Sequence, residues 1–426
     1  MNKPNRSGRW RATRAGSLTA VALAVVLATA GCGSSNDDDN NSATNSGGAS
    51  VSTVTLGEIT DLSGAASVYG IPENQGAQIA VDEINAAGGI QSLGGAQLEI
   101  KKYDSQSSPD QATPQATAAV ADKVSAVFGG EISDSVLAGI NVTQRAGVAW
   151  VDTGGVADEI IQKGYNTVFM PTHDNTQFGA SWWDMIQAAS QQLGISSPKI
   201  AIAYSDTTYG QGMYAAFTKA ASGANIVTKF SYPGTTTDFS SVAARLASAD
   251  ADVIFDAGYP GDGLALQKLF ASKFTPKAKI IAAGGSDATD VVSALKDQAN
   301  GLLLLGDLTP DTKGVPESFK TFYSDYQSKY NAIPNTQAIC GFIAVQFIAQ
   351  ALEAAKSADA ADVVTALKSV QLTQDTGNIY PAPATLSFQS DNSLAEAQFF
   401  GAQVVDGKAV LVYPSDVADA QVQPYK

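Results

Sequence analysis

Thiols and imidazoles are almost missing from this chain. Its 426 residues include two cysteines, Cys32 and Cys340, and one histidine, His173. Two cysteines cannot make a disulfide framework, and no usual zinc-ligand spacing joins them to one histidine. Redox, metal and cysteine-protease chemistry are poorly supported, so neither metal nor cofactor is expected. Positive charge is scarce too. Lys and Arg number 26 against 41 Asp and Glu, for a net charge of -15. Lys3, Arg6, Arg9, Arg11 and Arg14 all precede residue 32, and without them the net charge becomes -20. So acidic a surface argues against a nucleic-acid partner. Anionic lipid headgroups would repel it, so any membrane attachment should be covalent. The apolar stretch 16–31 is too short for a span of ~20 residues, and no second long apolar run follows it.

The opening of the chain reads as an export signal. Residues 1–15 are basic and residues 16–31 apolar and uncharged, the order of a secretory signal peptide over 1–31. It ends Thr29-Ala30-Gly31-Cys32, which is similar to a bacterial lipobox with Thr29 where Leu is usual. The modification implied is a diacylglyceryl thioether on Cys32, with cleavage before it. Residues 33–50, GSSNDDDNNSATNSGGAS, are polar and of low complexity. Such a stretch buries no core and is expected to act as a tether over 32–50. The remainder is expected outside the cytoplasm, held at the outer face of the cell membrane.

From Val51 onward the pattern is globular. Val54 to Ile59 alternates like a short strand and fades into a Gly/Ser loop. From Asn74, apolar residues recur at helical spacing (Ala77, Ala80 or Val81, Ile84) until Gly88-Gly89 closes the helix. Strand, polar loop and helix form the first half of a βαβ unit. Strand and helix signals then alternate to about Leu308, which predicts α/β architecture with mostly parallel sheets flanked by helices. The strands are too many for one comfortable sheet, so two lobes are expected. Residues 317–356 read as helical, broken at Ala332-Ile333-Pro334. In open α/β sheets, ligands sit beyond the carboxyl ends of the strands. Asp61 to Gly70, with Ser63 and Tyr69, is therefore a candidate binding loop.

Two motifs point to enzymes but lack their complements. Gly210-Gln211-Gly212-Met213-Tyr214-Ala215 fits G-x-G-x-x-A, yet the following strand ends Lys229-Phe230-Ser231-Tyr232 without the acid of a dinucleotide site. Gly284-Gly285-Ser286-Asp287-Ala288 approaches a nucleophile elbow, but its last Gly is missing and the lone His precedes it. His173 reads as a polar hinge or rim residue. Cys340, in an apolar helix, reads as a core thiol, and Trp182 and Trp183 as core packing.

The stretch D-L-S-G-A-A-S-V-Y-G, followed by G-A-Q-I-A-V-D-E-I-N-A-A-G-G-I, resembles the opening of type I periplasmic solute-binding proteins. The leucine/isoleucine/valine-binding group of ABC transporters is the nearest subfamily, with Asp61 where Pro is usual. The resemblance runs from about Val54 to Tyr413. It implies a two-lobed fold with a three-segment hinge, one lobe from 51–171 and 308–394 and the other from 172–307 and 395–426. Ligand binds in the cleft between them, and closure is a hinge motion. It also implies a monomer and a non-enzyme that delivers a small solute to membrane ABC permease subunits. The solute expected is a branched-chain or other amino acid. A ligand-sensing receptor of the same fold, or a binder of amides, urea or aromatic acids, stays open as an alternative.

The resemblance also assigns roles to strand-end loops that are rich in Gly, hydroxyls and acids. F-G-G-E-I-S-D-S places Ser133 on a ligand α-carboxylate. G-V-A-W-V-D-T-G-G-V places the backbone of Gly154 and Gly155 there, with Val156 where the family has a Thr hydroxyl. S-D-T-T-Y-G-Q-G and D-A-G-Y put Tyr209 and Tyr259 in the cleft. G-S-D makes Asp287 the acid that binds the α-ammonium.

Overall fold

A computed structural model describes residues 52–425. Cys32, the leader and the whole tether lie outside the described residues. The first five strands are β1 (Thr53–Thr60), β2 (Gln97–Asp104), β3 (Ala126–Phe128), β4 (Trp150–Val151) and β5 (Val168–Phe169). They pair in parallel in the order β2-β1-β3-β4-β5. β1 is buried on both faces along most of its length, as a central parallel strand must be. The edge strand β2 buries only Leu98 and Tyr103. The intervening helices are α1 (Ser67–Ala86), α2 (Pro109–Ala121), α3 (Ser133–Ala146) and α4 (Asp158–Gln162).

The second lobe holds α5 (Asn175–Gln192), β6 (Lys199–Asp206), α6 (Thr208–Ala220), β7 (Asn225–Pro233), α7 (Ser240–Ser248), β8 (Val253–Ala257), α8 (Pro260–Ser272), β9 (Ile280–Asp287), α9 (Ala288–Leu295) and β10 (Leu302–Leu305). The chain then returns to the first lobe with α10 (Glu317–Tyr330), α11 (Thr336–Ala355), α12 (Ala360–Leu367) and the small hairpin β11 (Gln371–Thr373) and β12 (Thr385–Ser387). It ends in β13 (Gly401–Val405) and β14 (Lys408–Tyr413), which add antiparallel to the second sheet, ordered β14-β13-β10-β9-β8-β6-β7. Three segments, 170–174, 306–316 and 388–400, therefore link the lobes. Two of them touch through a bridge between Met170 and Ser393.

The first lobe is braced where α1 crosses α11. A Cβ on Gly76 would stand 1.8 Å from the Ala338 carbonyl oxygen, and one on Gly341 would stand 2.1 Å from that of Glu73. Only hydrogen fits at these two places, so the helix backbones touch. α11 has the length and apolar content of a membrane span, but 78% of it is buried inside the protein. It is a core helix.

The helix after β1 starts at Ser67, seven residues before the pattern read from Asn74. Pro72 obscures it in the sequence, because a helix interior rarely accepts Pro. The cost is one backbone hydrogen bond, at the end of α1 where Val68 and Ile71 are exposed. β9 likewise continues past Ala283 to Asp287 and carries that residue, fully buried, to the end of the strand.

Candidate functional site

In each sheet the chain reverses its direction of winding at one place: between β1 and β3 in the first, and between β6 and β8 in the second. Loops leaving neighbouring strands on opposite sides open a crevice there. A cavity lies where the two crevices face one another. Its wall takes Glu131 from the turn after β3, Thr153, Gly154 and Val156 from the loop after β4, Tyr209 from the first turn of α6 and Tyr259 from the loop after β8. Gly285 and Asp287 come from the end of β9, and Tyr69 from the first turn of α1.

Of the residues named from sequence, Tyr69, Gly154, Val156, Tyr209, Tyr259 and Asp287 are thus brought to one wall. Ser63, Ser133 and Gly155 are not on it. Ser63 is exposed and donates to Asp104 Oδ2 at 2.7 Å. Ser133 is 1% exposed, and its hydroxyl accepts from the Ala157 amide at 3.3 Å. The amides of Gly155 and Gly154 both donate to Asp152 Oδ1, at 2.9 and 3.3 Å.

Several wall residues come from parts of the chain that strand-end reasoning does not reach. The hinge segments give Thr172, His173, Leu308, Gln398, Phe399 and Phe400, and the start of α11 gives Thr336, Gln337, Ile339 and Cys340. Phe178 and Tyr380 join them. His173 is both a hinge residue and a wall residue. Its ring lies 5.4 Å from that of Phe178 and 6.1 Å from that of Phe399. Burial holds its pKa down at about 4, so the imidazole is neutral. Glu131 stood within a quoted loop, but nothing in its neighbours distinguishes it from a solvated acid. It reaches the wall because Gly129 and Gly130 both take positive φ, +109° and +108°, which L-side chains rarely adopt.

Two acids dominate the electrostatics. Asp287 is 1% exposed, and neither of its oxygens has a hydrogen-bond partner among the described residues. Burial, then Asp307 and Asp290 nearby, push its pKa well above the carboxylate range, while the Thr336 hydroxyl, close by but outside bonding geometry, pulls the other way. Glu131 accepts from Gln337 Nε2 at 2.6 Å. Burial and then Glu73 raise its pKa well up, and when protonated it donates to Glu73. No lysine or arginine lines the cavity among the described residues. The Tyr209 hydroxyl is also without a partner, and its ring lies 5.1 Å from that of Tyr259.

Side chains of the two lobes meet across the cleft. Tyr69 donates its hydroxyl hydrogen to the Gly285 carbonyl, and Thr208 donates to Asp134 Oδ1.

Two α/β lobes facing one another across a cavity lined by aromatic, apolar and a few polar side chains define a small-solute binding protein. Residues 53–409 match the family model described as periplasmic binding protein, and the chain belongs to that family. Leu/Ile/Val-binding protein homolog 7 of Brucella abortus (strain 2308) is 31% identical over 387 residues, covering 87% of this chain and 94% of the relative. Homolog 8 of Brucella melitensis biotype 1 is 28% identical over 386 residues, covering 88% and 94%. Among solved structures, the substrate binding protein LivJ from Streptococcus pneumoniae, in complex with isoleucine, superposes with a TM-score of 0.71 at 24% identity, covering 84% of this chain and 97% of that one. A solute binding protein from R. palustris, in complex with benzoate, gives 0.71 at 18% identity, covering 84% and 95%. Membership makes this chain an extracytoplasmic solute-binding protein of an ABC transporter and not an enzyme.

Proposed function

We propose that this protein is the receptor of an ABC importer, tethered through a lipid on Cys32, and that it captures a small solute bearing an ammonium group and an apolar side chain. An amino acid of the branched-chain type, or a close derivative, meets that description. The observation that carries the reading is Asp287: a buried carboxyl on the wall whose two oxygens lack hydrogen-bond partners among the described residues. Leaving such a group unpaired is costly, so it is best explained by a cation that arrives with the ligand. Phe178, Leu305, Ile339 and Phe399 on the same wall offer apolar surface to a side chain. The names of the Brucella relatives and the isoleucine bound to LivJ support an amino-acid frame.

The benzoate bound to the R. palustris neighbour raises aromatic acids as the competing class. Charge decides against them here. Among the described residues the wall carries no lysine or arginine to pair with an anion. A thermal-shift screen of amino acids, their amides, simple amines and benzoate tests the reading. Stabilisation by ammonium compounds, lost in Asp287→Asn, is the expected result. Stabilisation by benzoate and by no amine would reject it.

A further inference from the structure

Of the three groups that a ligand carboxylate would need, two are already committed inside the protein and the third lies off the wall. The amides of Gly154 and Gly155 both serve Asp152. The Ser133 hydroxyl lies behind the wall, accepting from the Ala157 amide. The space in front of Gly154 holds an acid instead: a Cβ on Gly154 would stand 2.2 Å from Glu131 Oε2 and 3.1 Å from Gln337 Nε2. Gln337 fixes that oxygen from α11 at 2.6 Å. Behind Glu131 stand further buried acids, Glu73 on α1, Asp61 after β1 and Asp152 after β4. Thr60 donates to Glu73, and Ser105 and the Ser107 amide donate to Asp61. Lys102 lies on the neighbouring strand β2. It reaches only as far as Asn74, which in turn donates to Glu58.

We infer that the Glu131–Gln337 pair determines specificity by presenting an acceptor where an amino-acid receptor would present donors. The cavity therefore takes an ammonium compound whose second polar group donates hydrogen bonds, such as a carboxamide, in preference to one with a free carboxylate. This inference rests on the reading that Asp287 receives the ammonium. Glu131 stands on the first lobe's wall and Asp287 on the second's, so the two ends of one solute are read by opposite lobes. A carboxylate at the Glu131 end would face the lone pairs of Oε2, acceptor against acceptor, in a water-poor setting where an unpaired anion is costly. A carboxamide at the same place offers two N–H donors and carries no charge.

Calorimetric titration of the wild-type chain with leucine, leucinamide and 3-methylbutylamine, at a pH where all three amines are charged, tests this. Leucinamide should bind tighter than leucine by about tenfold or more. Glu131→Gln, which keeps the size of the side chain and adds donors, should shrink that preference to within about threefold. Gln337→Leu, which frees Glu131, should also change the ratio while leaving the fold intact. Leucine binding as tightly as leucinamide to the wild type would overturn the inference, as would a preference unchanged in Glu131→Gln. If leucine wins but Asp287→Asn still weakens every amine, only this inference fails. If Asp287→Asn leaves all three affinities unchanged, or none of the amines binds the wild type, the reading of Asp287 fails with it.

Discussion

Thr208 gives a test of closure that does not touch the ligand. It begins α6, and its hydroxyl donates to Asp134 in the first turn of α3 on the opposite lobe. Neither residue lines the cavity. The Asp134 carboxylate thus lies between two helix N-termini, where negative charge is favoured. We predict that Thr208→Val, which keeps the shape and removes the donor, weakens ligand binding through closure alone. A hydrogen bond to a charged group contributes roughly 1.5–3 kcal/mol when sheltered. Both residues are half-buried, so about 1–2 kcal/mol is appropriate. If the open form dominates without ligand, the whole loss appears in the apparent Kd, about 5- to 30-fold. The ligand enters the open form and the bond forms only in the closed one, so the dissociation rate should rise while the association rate stays put. Stopped-flow binding separates the two. Asp134→Ala should match Thr208→Val, and the double variant should cost no more than either alone. A dissociation rate within about twofold of wild type, or a loss confined to association, would refute the idea that this contact latches the cleft.

Further predictions address the rest of the molecule. Burial raises the pKa values of Glu58, Glu131, Asp152, Asp256 and Asp287 well above their usual 3.8 or 4.5. The folded form therefore holds protons that the unfolded chain has released, and stability falls as pH rises from about 4 through the folded values. Asp262 and Asp290 reach about 6, so calorimetric scans without ligand should give a higher Tm near pH 5 than near pH 8; a Tm that climbs across that range contradicts the assignment. Gly76→Val drives a side chain into the Ala338 carbonyl and should cost about 1–3 kcal/mol in denaturant unfolding; an unchanged midpoint means the two backbones do not touch. Cys32→Ala should move the protein from the membrane to the soluble fraction, and persistence in the membrane after signal removal would count against the lipid anchor.

The fold was legible because its signals are local and repeated. Alternating strand and helix patterns need no knowledge of distant contacts, and residues such as Ile200 to Ala203 or Leu302 to Leu304 are buried as their apolar runs require. The break at Ala332-Ile333-Pro334 separates α10 from α11 as expected. Pro72 hid the true start of α1, since a local rule there competes with tertiary packing of that helix on α11. The site was legible where it sits at the ends of strands, as with Tyr209, Tyr259 and Asp287. It was not legible where the wall comes from hinge segments and from α11, because Gln337 reaches it only after the second crossing between lobes and Phe399 lies within the third. Nor could a sequence show that the Gly154 and Gly155 amides are spent on Asp152. Such commitments depend on side-chain orientation within one loop.

The central claim is that Asp287 receives a cation, and proton counting on binding tests it most directly. Burial keeps this carboxyl protonated well above the usual range, and an arriving ammonium must displace that proton. Titrations of an ammonium ligand in two buffers of different ionisation enthalpy, at pH values stepped upward from the usual carboxylate range, should show release of up to about one proton. Affinity should rise with pH until the ligand amine itself deprotonates. In Asp287→Asn both the release and most of the affinity should disappear. Binding without proton release, at an affinity that Asp287→Asn leaves unchanged, would contradict the account.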